Sequence, residues 1–288
     1  MSDLLAELLS ILDLESLTPG VFSGRSERDR HGRVYGGQSL AQALVAATRA
    51  GPGWPLHSLH AYFLEPGDPS EPLRYAVERL HQTRSFVRCR IAASQGSRPV
   101  LQALASLQPL QKGPEHQLPM PDAPDPETLP SPQELALRQH AQIPVETRPW
   151  IGRPRAIEMR HVAPPASLGG RGEPRNLAWF RAPGPVGDDP LLHQALIAYA
   201  SDLSFNDNAA RPHAREGTLG VRMASLDHAL WFHAPTRADR WLLYEQHSTR
   251  AGAARGFIRG AIFDREGVHV ASVAQECLMR ARPAPVPD

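Results

Sequence analysis

Apolar positions in this sequence form two kinds of run, and the kinds recur in the same order. Residues 38–47 are alanine-rich and apolar almost all round, the pattern of a helix buried on every face. Residues 191–205 read similarly. Asp189 and Pro190 before them supply an N-cap and a first helical residue that needs no N–H, a strong start signal. Strand-like runs lie at 56–64, 73–80, 85–94 and 99–107, then near 156–162, at 176–181 and through 223–233. Turns such as Glu65-Pro66-Gly67-Asp68-Pro69 and Gln95-Gly96-Ser97 separate them. Residues 1–17 mix apolar positions with Asp3, Glu7, Asp13 and Glu15. They predict an amphipathic helix, because a signal peptide needs a basic start and an unbroken apolar run. Residues 20–33 read as polar and turn-rich, and Gly36 and Gly37 permit close backbone approach at the helix start that follows.

Between these halves the pattern breaks. Pro109, Pro114, Pro119, Pro121, Pro124, Pro126, Pro130 and Pro132 exclude regular structure over most of 109–153. The segment predicts a linker crossing the molecule, with one short helix within 132–142.

The second half then echoes the first. Gln194-Ala195-Leu196-Ile197-Ala198 follows Gln42-Ala43-Leu44-Val45-Ala46, and Trp231-Phe232-His233-Ala234-Pro235 follows Tyr62-Phe63-Leu64-Glu65-Pro66. Tyr244 stands past its proline as Tyr75 does, and Arg255-Gly256-Phe257-Ile258-Arg259 follows Arg84-Ser85-Phe86-Val87-Arg88. Gly267 and Leu278 match Gly96 and Leu107. Through the strands the offset holds near 170 residues, so one helix-plus-antiparallel-sheet unit is duplicated within an α+β chain.

Composition narrows the class. At 288 residues, 41% apolar and 21% charged, with net charge +1, the chain suits a globular protein with no bulk attraction to nucleic acid or anionic membrane. Lys112 is the only lysine, a bias toward arginine attributable to coding rather than to phosphate binding. Two cysteines, Cys89 and Cys277, give neither a disulfide framework nor a Cys-based zinc site. His228 and His233 fall on opposite strand faces, so no metal is expected. No apolar run reaches the length of a membrane span, and the final segment carries no peroxisomal address. The expectation is a cytoplasmic enzyme without cofactor.

The duplication is itself a probe for a single active site, which should appear as a difference between the copies. Asp202 falls opposite Ala50, Ser225 opposite Leu56 and Gln275 opposite Leu104. Each polar residue stands in a mostly apolar element where the first copy keeps an apolar one. Alone, each has an ordinary reading: a solvated acid after a helix, a serine opening a strand, a solvent-facing glutamine. Together they suggest partners, because an unpaired buried polar group costs roughly 1–3 kcal/mol. Gly37-Gln38-Ser39-Leu40-Ala41 loosely resembles a nucleophile elbow, but no apolar strand leads into it.

Several motifs in order resemble the acyl-CoA thioesterase II family: Val34-Tyr35-Gly36-Gly37-Gln38, the run from His57 through Phe63 to Asp68, Tyr199-Ala200-Ser201-Asp202, Ser225-Leu226-Asp227-His228 through Trp231-Phe232-His233, and Gln275-Glu276. The resemblance covers nearly the whole chain. It implies a double hotdog, two tandem units each an antiparallel sheet wrapped around a long helix, at 1–108 and 154–282, with the linker at 109–153 and a tail at 283–288. It also implies hydrolysis of fatty acyl-CoA to free acid and CoA. The family's Asp, Ser or Thr, and Gln map onto Asp202, Ser225 and Gln275, with His57, Gly37 and Gln38 as candidates for substrate binding. A hydroxyl at 225 serves whether Ser or Thr supplies it. A thiolate leaves readily, so the chemistry needs an activated water more than a strong acid. Asp202 is the expected base, held by Ser225 and Gln275. Its helix end should raise its pKa and those hydrogen bonds should lower it. Further homo-oligomers are compatible with the resemblance. The alternatives are a hotdog protein that binds acyl-CoA without catalysis and a serine hydrolase using Ser39.

Overall fold

A computed structural model describes residues 3–27, 32–145, 147–148, 151 and 153–281. The expected tail at 283–288 lies outside the described residues. In chain order the helices and strands of the first half are α1 (Asp3–Leu12), β1 (Glu15–Thr18), β2 (Val21–Gly24), α2 (Gly36–Ala50), β3 (Leu56–Phe63), β4 (Leu73–Gln82), β5 (Val87–Gln95) and β6 (Arg98–Leu107). The middle segment holds α3 (Pro132–Arg138). The second half runs β7 (Glu158–His161), β8 (Arg175–Arg181), α4 (Pro190–Ser201), α5 (Asp207–Ala210), β9 (Val221–Ser225), β10 (Asp227–Phe232), β11 (Leu242–Gly252), β12 (Arg255–Phe263) and β13 (His269–Ala281).

The two buried helices form where the apolar pattern places them. In α2 every residue from Gly37 to Ala47 is buried, and α4 buries Ala195 through Ser201 without a break. Asp189 caps α4 by accepting from the Leu191 N–H, with Pro190 at the first helical position. The helices lie side by side and antiparallel. Tyr35 at the start of α2 donates its hydroxyl to the Tyr199 carbonyl near the end of α4, at 3.1 Å. A β-carbon on Gly37 would stand 2.4 Å from that carbonyl, so only glycine permits this approach.

The strands form one antiparallel sheet around this pair, in the order β1-β2-β4-β5-β6-β3-β10-β13-β12-β11-β8-β7, with β9 also on β13. Read outward from the β3–β10 seam, the order after the helix is the same on both sides: β3, β6, β5, β4, β2 on one and β10, β13, β12, β11, β8 on the other. At the seam His60 pairs with Ala229, Ser58 with Trp231 and Tyr62 with Asp227. An offset of 169 residues exchanges the members of those pairs, so a pseudo-two-fold axis passes through the His60–Ala229 pair.

Register corrects two of the sequence alignments. Tyr75 pairs with Ala93 and Tyr244 with Ile262, so β5 and β12 correspond at 169 residues, and Arg259 answers Arg90 rather than Arg88. Cys89 pairs with Ala105 and Ile258 with Gln275, so Gln275 corresponds to Ala105, not Leu104. Ala105 is buried and points inward, whereas Leu104 is exposed. The connection after β12 misled the count: residues 264–268 there replace the tight turn at Gly96.

Two further differences have local causes. Residues 21–24 form an outer strand on β4, too short to register as a periodic pattern. The run 223–233 is broken by a bulge in which Leu226 and Asp227 both stand opposite Glu276. The proline-rich segment carries α3 as expected, and it packs on the second half rather than hanging free. Met120, Ala123 and Leu129 cover Trp179, Trp241, Leu243 and Phe263, and the Trp179 indole donates to the Pro124 carbonyl at 2.9 Å.

Candidate active site

The end of α4 and the start of α2 meet at Asp202. This residue is the C-cap of α4 and is only partly buried. Gly36 and Gly37 open α2 with no acidic residue in the first turn and no side-chain cap at Tyr35. The Gly37 N–H instead bonds to the Asp202 carboxylate. The carboxylate therefore lies between the negative end of one helix dipole and the positive end of the other, so their effects oppose. Sequence reasoning saw only the first.

The bulge in the β9–β10 run sets the second member. Leu226 N–H donates to the Glu276 carbonyl at 2.9 Å, and the Asp227 carboxylate takes the Glu276 N–H at 2.6 Å. Ser225, the last residue of β9, is thereby held with its hydroxyl facing Asp202. Its Oγ lies 3.5 Å from Oδ1. Gln275 comes from β13 as a fully buried inward residue. Its Nε2 donates to Ser225 Oγ at 3.0 Å and to Asn206 Oδ1 at 2.8 Å. Asn206 Nδ2 also donates to Ser225 Oγ, at 3.1 Å.

These directions leave little freedom. With two amide groups donating to its oxygen, the Ser225 hydroxyl has its one proton left for the carboxylate. Every donor in the cluster points toward Asp202. Burial raises the Asp202 pKa to about 6, against hydrogen bonds from Gln275, the Gly37 N–H and Ser225 and the charge of Arg33, all of which lower it. The group is thus largely ionised at neutral pH and still basic enough to take a proton.

Asp202, Ser225, Gln275 and the Gly37 N–H are thus brought together. The Gln38 side chain turns away, buried, to accept from the Glu27 N–H at 3.0 Å and donate to Ser26 Oγ at 3.1 Å. His57 lies at the other end of the helix pair. It bonds Ser106 Oγ at 2.8 Å and lines a cavity of about 590 Å³ with Asp189, Pro190 and Phe232. Ser39 is buried in α2 with its hydroxyl on the Tyr35 carbonyl, and among the described residues no hydrogen bond joins it to a histidine or carboxylate. No cluster of three His, Cys, Asp or Glu side chains suited to a metal occurs among the described residues. No described helix is long and apolar enough to cross a membrane.

Two residues escaped the sequence reading. Asn206, four residues past Asp202, lies in the irregular turn between α4 and α5, where periodicity carries no signal. His228 is buried in β10 behind Gln275, its Nδ1 against Gln275 Oε1 and its Nε2 2.9 Å from Ser201 Oγ.

Comparison with known proteins agrees with the fold and supplies a family. A family model described as acyl-CoA thioesterase matches residues 155–278, and one described as acyl-CoA thioesterase N-terminal domain matches 25–108. Human acyl-coenzyme A thioesterase 8 is 38% identical over 95% of this chain and 89% of its own. The crystal structure of the acyl-CoA thioesterase II TesB2 from Mycobacterium marinum is 36% identical with a TM-score of 0.78, covering 98% of this chain and all of its own. A hot dog fold protein of unknown function from Alicyclobacillus acidocaldarius aligns at a TM-score of 0.76 over 96% of this chain and 99% of its own, at 19% identity, a likeness of fold alone. The architecture here is a hotdog fold.

Proposed function

The chain belongs to the acyl-CoA thioesterase family, and we propose that it hydrolyses fatty acyl-CoA thioesters to free acid and CoA by direct attack of water. The observation that carries this reading is the convergence of Ser225, Gln275, Asn206 and the Gly37 N–H on one carboxylate, Asp202. Asp202 takes a proton from a water as that water attacks the thioester carbonyl. The C–S bond then breaks, the thiolate leaves with the CoA, and the proton passes to it from Asp202 or solvent. Ser225 orients the water and the carboxylate; Gln275 and Asn206 orient Ser225.

The oxyanion formed at the carbonyl needs fixed donors. The first turn of α2 carries N–H groups with no acceptor inside the helix, and those of Gly36 and Gln38 are the nearest such donors to the carboxylate beside that of Gly37. The Gln38 contribution is its backbone, since its side chain is occupied elsewhere. We further propose that residues 1–108 and 154–282 are two hotdog units, joined by 109–153. The shared strand order on either side of the seam supports this division.

Thiol release measured over acyl-CoA chain lengths, for the wild type and Asp202→Asn, tests the reading. Turnover by the wild type that disappears in the variant, while acyl-CoA still binds, supports it. A wild type that binds acyl-CoA and releases no thiol would make this a binding protein instead.

A further inference from the structure

His228 has a leucine, Leu59, as its counterpart across the pseudo-two-fold axis, and both side chains are fully buried. An imidazole where an aliphatic side chain serves the packing equally well needs another reason. Burial depresses its pKa to about 4, so the ring is neutral at working pH and carries one N–H. Two partners compete for it. Gln275 Oε1 stands against Nδ1 and can only accept; Ser201 Oγ stands 2.9 Å from Nε2 and can do either.

Two proton arrangements satisfy the ring. With hydrogen on Nδ1, His228 donates to Gln275 Oε1 and accepts the Ser201 hydroxyl proton at Nε2. The Gln275 NH2 then faces Asn206 Oδ1, Ser225 Oγ and Asp202. With hydrogen on Nε2, Ser201 accepts it and donates to the Ala198 carbonyl, 2.9 Å away. The Gln275 amide would then reverse to donate to Nδ1, turning its carbonyl oxygen toward the Asp202 carboxylate and Asn206 Oδ1. Acceptors would face acceptors there. The first arrangement alone leaves each group at the carboxylate with a donor.

Resting on the proposed hydrolysis, we propose that His228 is a positioning residue: its Nδ1–H tautomer, held by Ser201, fixes the Gln275 amide with its NH2 toward Asp202, Ser225 and Asn206. The line Ser201–His228–Gln275 thus carries orientation from the last residue of α4, across the core, back to the residue after it. Phe205, whose ring centroid is 6.1 Å from that of His228, flanks the ring. The groups facing Asp202 are the Gly37 N–H and Arg33 from the α2 side, Ser225 from β9, Gln275 from β13 and Tyr244 from β11. Of these, only Gln275 touches His228.

The test compares the wild type with His228→Leu and His228→Asn in thiol release from an acyl-CoA between pH 5 and 9. His228→Leu installs the residue of the other half. It is expected to lower kcat about 10- to 100-fold with KM nearly unchanged, and to move the acid limb up by about one pH unit as Asp202 loses its Gln275 donor. His228→Asn keeps an N–H for Oε1 and is expected to restore much of kcat. A folded His228→Leu with wild-type kcat and the wild-type acid limb overturns the proposal. Nitrogen-15 shifts of the His228 ring in the unmodified protein give a second measurement that depends on no variant. Protonation at Nδ1 is expected at pH 7, and protonation at Nε2 overturns the proposal. Failure of the underlying reading is separate, since it would appear as undiminished turnover in Asp202→Asn.

Discussion

Gly36 and Asp202 approach so closely that a β-carbon on Gly36 would lie 2.7 Å from Asp202 Oδ2, with Phe63 at 3.1 Å closing the other side. The carboxylate rests on the bare start of α2, and no other side chain fits between them. Gly36→Ala should therefore displace Asp202 and lower kcat on the order of 100-fold, since about 1 Å of misplacement at a reacting group can cost that much. Circular dichroism and thiol release on the same preparation distinguish this from unfolding. A folded variant with wild-type kcat would contradict the geometry.

The acid limb of kcat/KM should fall near pH 6. Asp202 acts as a base only when ionised, and burial holds its pKa at about 6. Activity is lost as pH falls through that value. In Asp202→Asn the residual rate should be about 10²- to 10⁴-fold lower and have no limb there. A wild-type limb near pH 4 would mean that the carboxylate is far better solvated than its surroundings indicate.

The same shift predicts a cost to the fold. The folded protein holds the Asp202 proton more tightly than the unfolded chain does, so this stabilisation is complete below about pH 4. It is lost as pH rises to about 6. The shift corresponds to at most about 3 kcal/mol, less the share relieved by partial exposure. Asp202→Asn should gain stability relative to the wild type, by about 1–2 kcal/mol, between pH 4 and pH 8. Urea denaturation at the two pH values measures the change, and no change would contradict it.

Asn206 and Ser225 should separate by role. Ser225→Thr keeps the hydroxyl and should retain most activity, whereas Ser225→Ala leaves both amide donors and the carboxylate without their common partner. Asn206→Ala removes one of those donors and should lower kcat about tenfold with little change in KM. An Asn206→Ala enzyme with full kcat would remove that residue from the cluster.

Ser39→Ala should turn over at the wild-type rate, and a serine-directed fluorophosphonate should leave the enzyme active. The Ser39 hydroxyl is spent on a helix carbonyl, 3.4 Å away, with no base beside it. Burst kinetics or inactivation would revive covalent catalysis.

The sequence made the helices legible because burial on every face leaves a compositional mark, as at residues 38–47. It made Asp202, Ser225 and Gln275 legible because a duplicated unit provides an internal reference for where apolar residues suffice. The reference failed where loops changed length: Gln275 was matched to Leu104, one position from its true counterpart Ala105. It was silent where no regular element exists. Asn206 lies in such a turn, and the bulge at Leu226 and Asp227 depends on a side chain taking a backbone N–H from the neighbouring strand, a tertiary event with no local signature. His228 stood in plain view as a strand histidine, but its partner, Gln275, is 47 residues away.

The β3–β10 seam gives the protein a freedom that paired identical units lack. In such a pair each substitution lands at both corners of the assembly, and whatever one corner gains the other must also accept. Joined in one chain, the corners vary separately. One can concentrate an ionised acid and its donors at a cost to the fold, while the other keeps Ala50, Leu56 and Ala105 at the matching places and bears none of that cost.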